Sequence, residues 1–221
     1  MCVTLCPYIT SECVRFLPVY CSEETDSGVE DLEAKGLIPP KESVTLDFGN
    51  GVVHPHFVKY MTYFMDTTGI MIQMREKIAQ LGIPIEIKEL KSLSELPESV
   101  VFNCSGLGAK ELNKDDKMIA VRGHLLNLNE QSGTEHLNYM IYTKVKGKNG
   151  SDEYVYMFPK CLQVQGSHYS EGKVVFGTLG GTFIPNADLM TQNELEQLDR
   201  AEFQNLIDRN LNFFWGKGAI Q

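Results

Sequence analysis

The chain lacks any apolar run approaching the ~20 residues that cross a bilayer. Its start, MCVTLCPYIT, has neither the basic region nor the small-residue cleavage site of a secretion signal. No membrane association is expected, and a cytoplasmic location is the default. Clustered positive charge is also missing: 20 Lys and Arg against 29 Asp and Glu leave a net charge of −9. Phosphate recognition needs basic residues gathered on one face, so no nucleic-acid partner is expected. Lys144, Lys146 and Lys148 do stand close together, but in a glycine-containing turn that reads as a solvated loop.

Metal-binding patterns are equally scarce. Of the 6 cysteines, Cys2, Cys6, Cys13 and Cys21 fall near the start, without paired C-x₂-C spacing and without a nearby histidine. That excludes the usual zinc tetrahedron, and in a reducing compartment these cysteines behave as small hydrophobes. His54 and His56 flank Pro55 with no carboxylate or cysteine partner at useful spacing, so neither a metal nor a catalytic triad is expected there. No internal repeat and no low-complexity segment is present.

What remains is an ordinary globular composition, 43% hydrophobic and 22% charged over 221 residues, enough for one large or two small domains. VRFLPVYC (14–21) reads as a strand, followed by the acidic connection SEETDSGVEDLEAKG. Within DFGNGVVHPHFVKYMTYFM the Asn50-Gly51 pair signals a type I′ hairpin between two β-rich runs. Asp66, Thr67 and Thr68 offer N-cap oxygens to a helix carrying Ile70, Met71, Met74, Ile78 and Leu81 on one face, with Gly82 as its stop.

IPIEIKEL (83–90) alternates like a strand with one covered face, and a second strand is expected at Val100 to Asn103. Further strands are expected in MIAVRGHLLNL, HLNYMIYTKV, EYVYMFPK and Lys173 to Phe176, with GKNGSD as a hairpin loop. Thr191 and Glu194 spell a capping box, and Met190 and Leu195 take hydrophobic-staple positions. They open a helix over about 192–214, whose apolar face carries Leu195, Leu198, Leu206, Ile207, Leu211 and Phe214.

The stretch VVFNCSGLGAKEL ends an apolar run in small residues and glycines, the composition found where open α/β sheets bind ligands at strand ends. An ordinary tight strand-to-helix turn has the same composition. Together with AVRGHLL (120–126), EYVYMFPK (153–160) and VVFGTLGG (174–181), in that order, it resembles the flavin-dependent D-amino-acid oxidase family over essentially the whole chain.

The resemblance implies an FAD-dependent flavoprotein, an oxidoreductase turning a D-amino acid into its imino acid with dioxygen as acceptor. A glycine- or sarcosine-type oxidase of the same fold is a second reading, and a non-catalytic binding or dimerising module a third. Homodimerisation is left open. The implied fold class is mixed α/β (α+β): an antiparallel-sheet substrate domain (14–65 and 121–191) interleaved with a partial Rossmann-like FAD-binding domain and flanking helix (66–120 and 192–221).

By the same resemblance Leu90, Ser105 and Gly106 face the cofactor, and Tyr156, with Tyr154 as a weaker match, binds the substrate carboxylate. Read from the residues alone, Tyr154 and Tyr156 share a strand face that core packing would equally explain. Arg122 is expected to be structural, and His124, standing where the family has glutamine, to affect local packing. No side chain is assigned as acid or base, because the flavin carries that chemistry. The family's opening G-x-G-x-x-G turn is not found here, and its carboxylate-binding arginine and late glycine-rich loop fall past the last residue. The expectation is therefore an oxidase interior without its two flavin-gripping ends, exposing apolar surface.

Overall fold

The computed structural model describes residues 13–23, 28–129, 137–147, 150–160, 169–170 and 173–216. Cys2, Cys6, Lys148 and the 217–221 tail lie outside the described residues. The elements in chain order are β1 (Val14–Ser22), α1 (Val29–Ala34), β2 (Glu42–Asp47), β3 (Val53–Met65), α2 (Thr67–Gln80), α3 (Gly108–Asn113) and β4 (Val121–Arg122). They continue with β5 (Leu126–Asn129), β6 (Met140–Lys146), β7 (Asp152–Pro159), β8 (Tyr169–Ser170), β9 (Lys173–Gly180), β10 (Ile184–Pro185) and α4 (Gln192–Trp215).

The chain is mixed α/β, built on a mostly antiparallel sheet in the order β2-β3-β1-β6-β7-β9-β5, with short β8 also on β9 and a separate β4–β10 pair. Among the described residues the single parallel pairing is β1 with β6, at Val19↔Met140 and Tyr20↔Ile141. The sheet carries an apolar cluster on each face. On one, Ile141, Val155, Met157 and Leu179 meet Phe57 and Phe213, the last brought in by α4. On the other, Leu17, Val19, Phe64 and Met140 form a second cluster, with Tyr60 and Phe158 at its margin.

Local chemistry explains the elements that form as the sequence predicts. Asp66 caps α2, its side chain accepting from the Gly69 N–H at 3.1 Å. At α4 the capping box closes both ways, Thr191 N–H donating to Glu194 Oε2 (2.8 Å) and Glu194 N–H to Thr191 Oγ1 (3.3 Å). β6 and β7 pair through Lys146↔Asp152, where Lys144 and Lys146 both reach Asp152.

The β2–β3 hairpin also forms, but not on a type I′ turn. That turn needs positive φ at both central residues, and here Gly49 (71°) and Gly51 (89°) are left-handed while Asn50 is not. Phe48 N–H closes a wider loop onto Val52 O at 3.2 Å. Asn50 instead uses its side chain, accepting from Val52 N–H and donating to Phe214 O.

Two expected strands are absent. Residues 83–90 and 100–103 lie outside every strand of the described chain, and no backbone hydrogen bond among the described residues engages 84–91 or 97–102. Ile85 (70%), Ile87 (104%), Val100 (71%) and Phe102 (88%) are open to solvent. Alternation reports a preference for a half-covered pleat; without a neighbouring strand to supply the ladder, that preference is not realised. The Rossmann-like half of the expectation is thus not formed by the described residues.

Candidate functional site

β6 and β7 place alternate side chains on opposite faces of the sheet. Val155 and Met157 turn toward the core beside α4, which sends Tyr154 and Tyr156 to the other face. Register then matters, because Tyr142 of β6 stands directly opposite Tyr156, and Tyr156 in turn opposite Gly180 of β9. The three tyrosines, with Gly181, Thr182 and Phe183, line a cavity of about 440 Å³.

The tyrosines hold one another in place. The Tyr142 and Tyr154 rings stack at 5.6 Å with planes 17° apart, and Tyr156 leans on Phe158 at 5.2 Å. Tyr156 also presses on the backbone of Gly180 and Gly181: a Cβ there would come within 1.9 Å of its Cζ and 2.0 Å of its Cε1 respectively. Among the described residues no hydrogen bond engages the hydroxyls of Tyr142, Tyr154 or Tyr156. Burial pushes the Tyr156 and Tyr142 phenols up, with Arg209 opposing at Tyr156. Both therefore stay protonated near neutrality, as hydrogen-bond donors suited to a carboxylate.

Arg209 of α4 supports the cavity from behind. Its Nη2 donates to Gly181 O at 2.8 Å, and its Nη1 pairs with Glu153. The guanidinium also borders a second cavity of about 380 Å³, between α4 and the β6–β7 hairpin, lined by His54, Glu153 and Phe213 among others. There Glu153 pairs with Arg209, Lys146 with Asp152 and Asp208 with Gln204, while Arg209 Nε is buried without a hydrogen-bond partner among the described residues.

Next to the tyrosine cavity lies a polar network. His124 is 4% exposed. Its Nε2 stands 2.8 Å from Asp199 Oδ1 and its Nδ1 2.8 Å from Thr182 Oγ1, which also accepts the His124 backbone N–H at 2.7 Å. Arg122 completes the cluster, Nη2 donating to Asp199 Oδ2 at 2.5 Å. His124 and Arg122 hold Asp199 below the usual carboxylate range.

The residues expected at a flavin sit elsewhere. Leu90 is half-buried in the unpaired 83–90 stretch, and Ser105 and Gly106 are exposed. Asn103 Oδ1 accepts both the Ser105 N–H (3.2 Å) and its hydroxyl (2.7 Å), an Asx-type turn that consumes the donors a ligand would need. Gly106 (φ 59°) leads into α3, only 6 residues long. No hydrogen bond or ring contact among the described residues joins this turn to the tyrosine cavity.

The tyrosine pair named from sequence is thus brought together, and the cofactor positions are not joined to it. Tyr142, Thr182 and Phe183 went unnamed because their place on the wall depends on register and on the chain path after β9. His54 stacks on Phe213 at 4.4 Å and its Nε2 lies 2.8 Å from Phe213 O, while exposed His56 stands 3.8 Å from Glu23. Among the described residues no cluster of His, Cys, Asp or Glu could hold a metal ion, and no helix is long and apolar enough to cross a membrane. Compared with known protein families, the chain matches no family model.

Proposed function

We propose that this chain is the substrate-binding β domain of a D-amino-acid-oxidase-like protein, taking a small D-amino acid into the tyrosine cavity. One observation carries the reading: three tyrosines, whose hydroxyls no hydrogen bond among the described residues engages, line a 440 Å³ cavity beside the Gly180–Gly181 backbone. The Tyr156 hydroxyl, with Tyr154 beside it, donates to the ligand carboxylate. The stacked Tyr142 and Tyr154 rings supply an apolar wall for the side chain.

The activity such a domain serves is FAD-dependent oxidation of the amino acid to its imino acid, with dioxygen as acceptor. The described residues do not fit FAD. Ser105 has spent its donors on Asn103, and neither a long helix N-terminus nor a paired strand edge stands at Leu90 or Gly106. No oxidation step is therefore assigned to side chains of this chain.

Calorimetric titration with a panel of D- and L-amino acids tests the reading, alongside absorbance spectra after incubation with FAD and desalting. Saturable binding of a D-amino acid, weakened in Tyr156→Phe, is expected, with no retained flavin bands. Absence of binding by every amino acid would remove the substrate-domain reading. A second reading, a non-catalytic binding or dimerising module, is favoured by the exposed apolar runs at 83–90 and 100–103.

A further inference from the structure

The stretch IPIEIKEL has the alternation of a strand and no strand to join. α2 stops at Gly82, whose N–H donates to Ala79 O at 3.0 Å, and the chain next turns at Ser92, whose Oγ accepts the Ser94 N–H at 3.2 Å. Between these points no backbone hydrogen bond among the described residues engages 84–91. Ile83, Ile85 and Ile87 are exposed. So are Glu86 and Lys88, which form no ion pair among the described residues.

We propose that residues 83–91 pair with the same residues of a second copy of this chain, as an antiparallel ladder with Ile87 on the two-fold axis. A two-fold axis is the commonest symmetry of homo-oligomers, and it requires a self-complementary segment. The charges select the register. With Ile87 opposite Ile87 of the second copy, Glu86 stands opposite Lys88, and Lys88 opposite Glu86. Centring the ladder on Glu86 or on Lys88 sets that residue against its own like charge. Centring it on Ile85 leaves both charges without an opposite partner.

Pro84 decides which pairs carry the hydrogen bonds. Hydrogen-bonded and non-hydrogen-bonded pairs alternate along an antiparallel ladder. Pro84 has no N–H to donate, so its place opposite Leu90 is a non-hydrogen-bonded pair. Ile85 with Glu89, and Ile87 with Ile87, are then the hydrogen-bonded pairs. Glu86 and Lys88 fall in non-hydrogen-bonded pairs, where side chains approach more closely. One face of the ladder gathers Ile85 and Ile87 from both copies, and the other carries the two ion pairs.

A second copy fits this surface better than an unrelated sheet edge, because one short segment supplies both halves of the charge pattern. The pairing does not depend on what the tyrosine cavity binds, so it and the amino-acid reading stand or fall separately.

Sedimentation velocity at low ionic strength reads the association in the wild type, Glu86→Lys, Lys88→Glu and the double variant Glu86→Lys/Lys88→Glu. All changes are at exposed positions, so the unfolding temperature should not move. The wild type and the double variant are expected to associate. Each single variant should associate on the order of tenfold more weakly, since two opposite-charge pairs become two like-charge pairs. Mixing the two single variants should restore association, because the lysines of one chain then meet the glutamates of the other.

Amide exchange in the associated state gives a second readout: the N–H groups of Ile85, Ile87 and Glu89 should be protected, while those of Glu86 and Lys88 exchange freely. A wild-type chain that stays monomeric at every concentration overturns the pairing. Association that the single charge reversals leave unchanged, or that mixing fails to restore, overturns it too and assigns the contact to another surface. Protection at Glu86 and Lys88 in place of Ile85 and Ile87 overturns the register.

Discussion

Tyr156 and Gly180 face each other across β7 and β9, so close that a methyl group on Gly180 would lie 1.9 Å from the tyrosine ring. The glycine is the reason the ring can lie against the strand. Gly180→Ala must push the ring aside. We expect a loss of roughly 1–3 kcal/mol, as for overpacked sites, read from the urea midpoint at constant m-value. Adding Tyr156→Ala should recover much of it, because the double substitution removes the collision. Equal stability of Gly180→Ala and the wild type would show that the ring is not held there.

Tyr156→Phe removes the hydroxyl and keeps the ring. No hydrogen bond among the described residues is lost, so stability should change by under about 0.5 kcal/mol. Binding of a carboxylate ligand should weaken by about 1–2 kcal/mol, roughly tenfold. Calorimetric titration beside thermal unfolding separates the two effects. Loss of stability without loss of affinity would make Tyr156 a packing residue.

Burial pushes the Tyr60 phenol up to about 12. Its folded value lies above the unfolded value of about 10, so the folded state holds the proton more tightly. The associated stability is complete below about pH 10 and is lost as pH rises toward about 12. Tyr60→Phe should therefore flatten the alkaline limb of a stability–pH curve. An identical limb in that variant would place the alkaline loss elsewhere.

Ile85 and Ile87 project from a segment with no backbone partner among the described residues, at 70% and 104% exposure. Such strand-competent, unpaired apolar runs invite pairing with other chains. Sedimentation velocity should show concentration-dependent association, reduced in Ile85→Lys/Ile87→Lys with the unfolding temperature unchanged. A concentration-independent monomer in the wild type would count against this.

Several features were legible in the sequence because their causes are local. Thr191 and Glu194 are three residues apart and satisfy each other's backbone whatever surrounds them, and Asp66 does the same for α2. The alternation of Tyr154 and Tyr156 around Val155 likewise predicts a shared face, since the pleat alone dictates it. The β2–β3 hairpin was visible at Asn50-Gly51, though its turn type was decided by the side-chain bond of Asn50 to Phe214 on α4, a contact 164 residues away.

The tertiary structure decided what depends on partners distant in sequence. Alternation in IPIEIKEL could not say whether a neighbouring strand exists, and the described chain supplies none. The cavity needs Tyr142 opposite Tyr156 and Gly180 beneath it, which is a matter of register. His124 acquired Thr182 from 58 positions along the chain and Asp199 from 75. Sequence by itself determined the short-range geometry of caps, pleats and turns. Which side chains meet at a site was settled only when the packing of β6, β7, β9 and α4 brought distant residues within hydrogen-bond range, because such contacts carry no local signature.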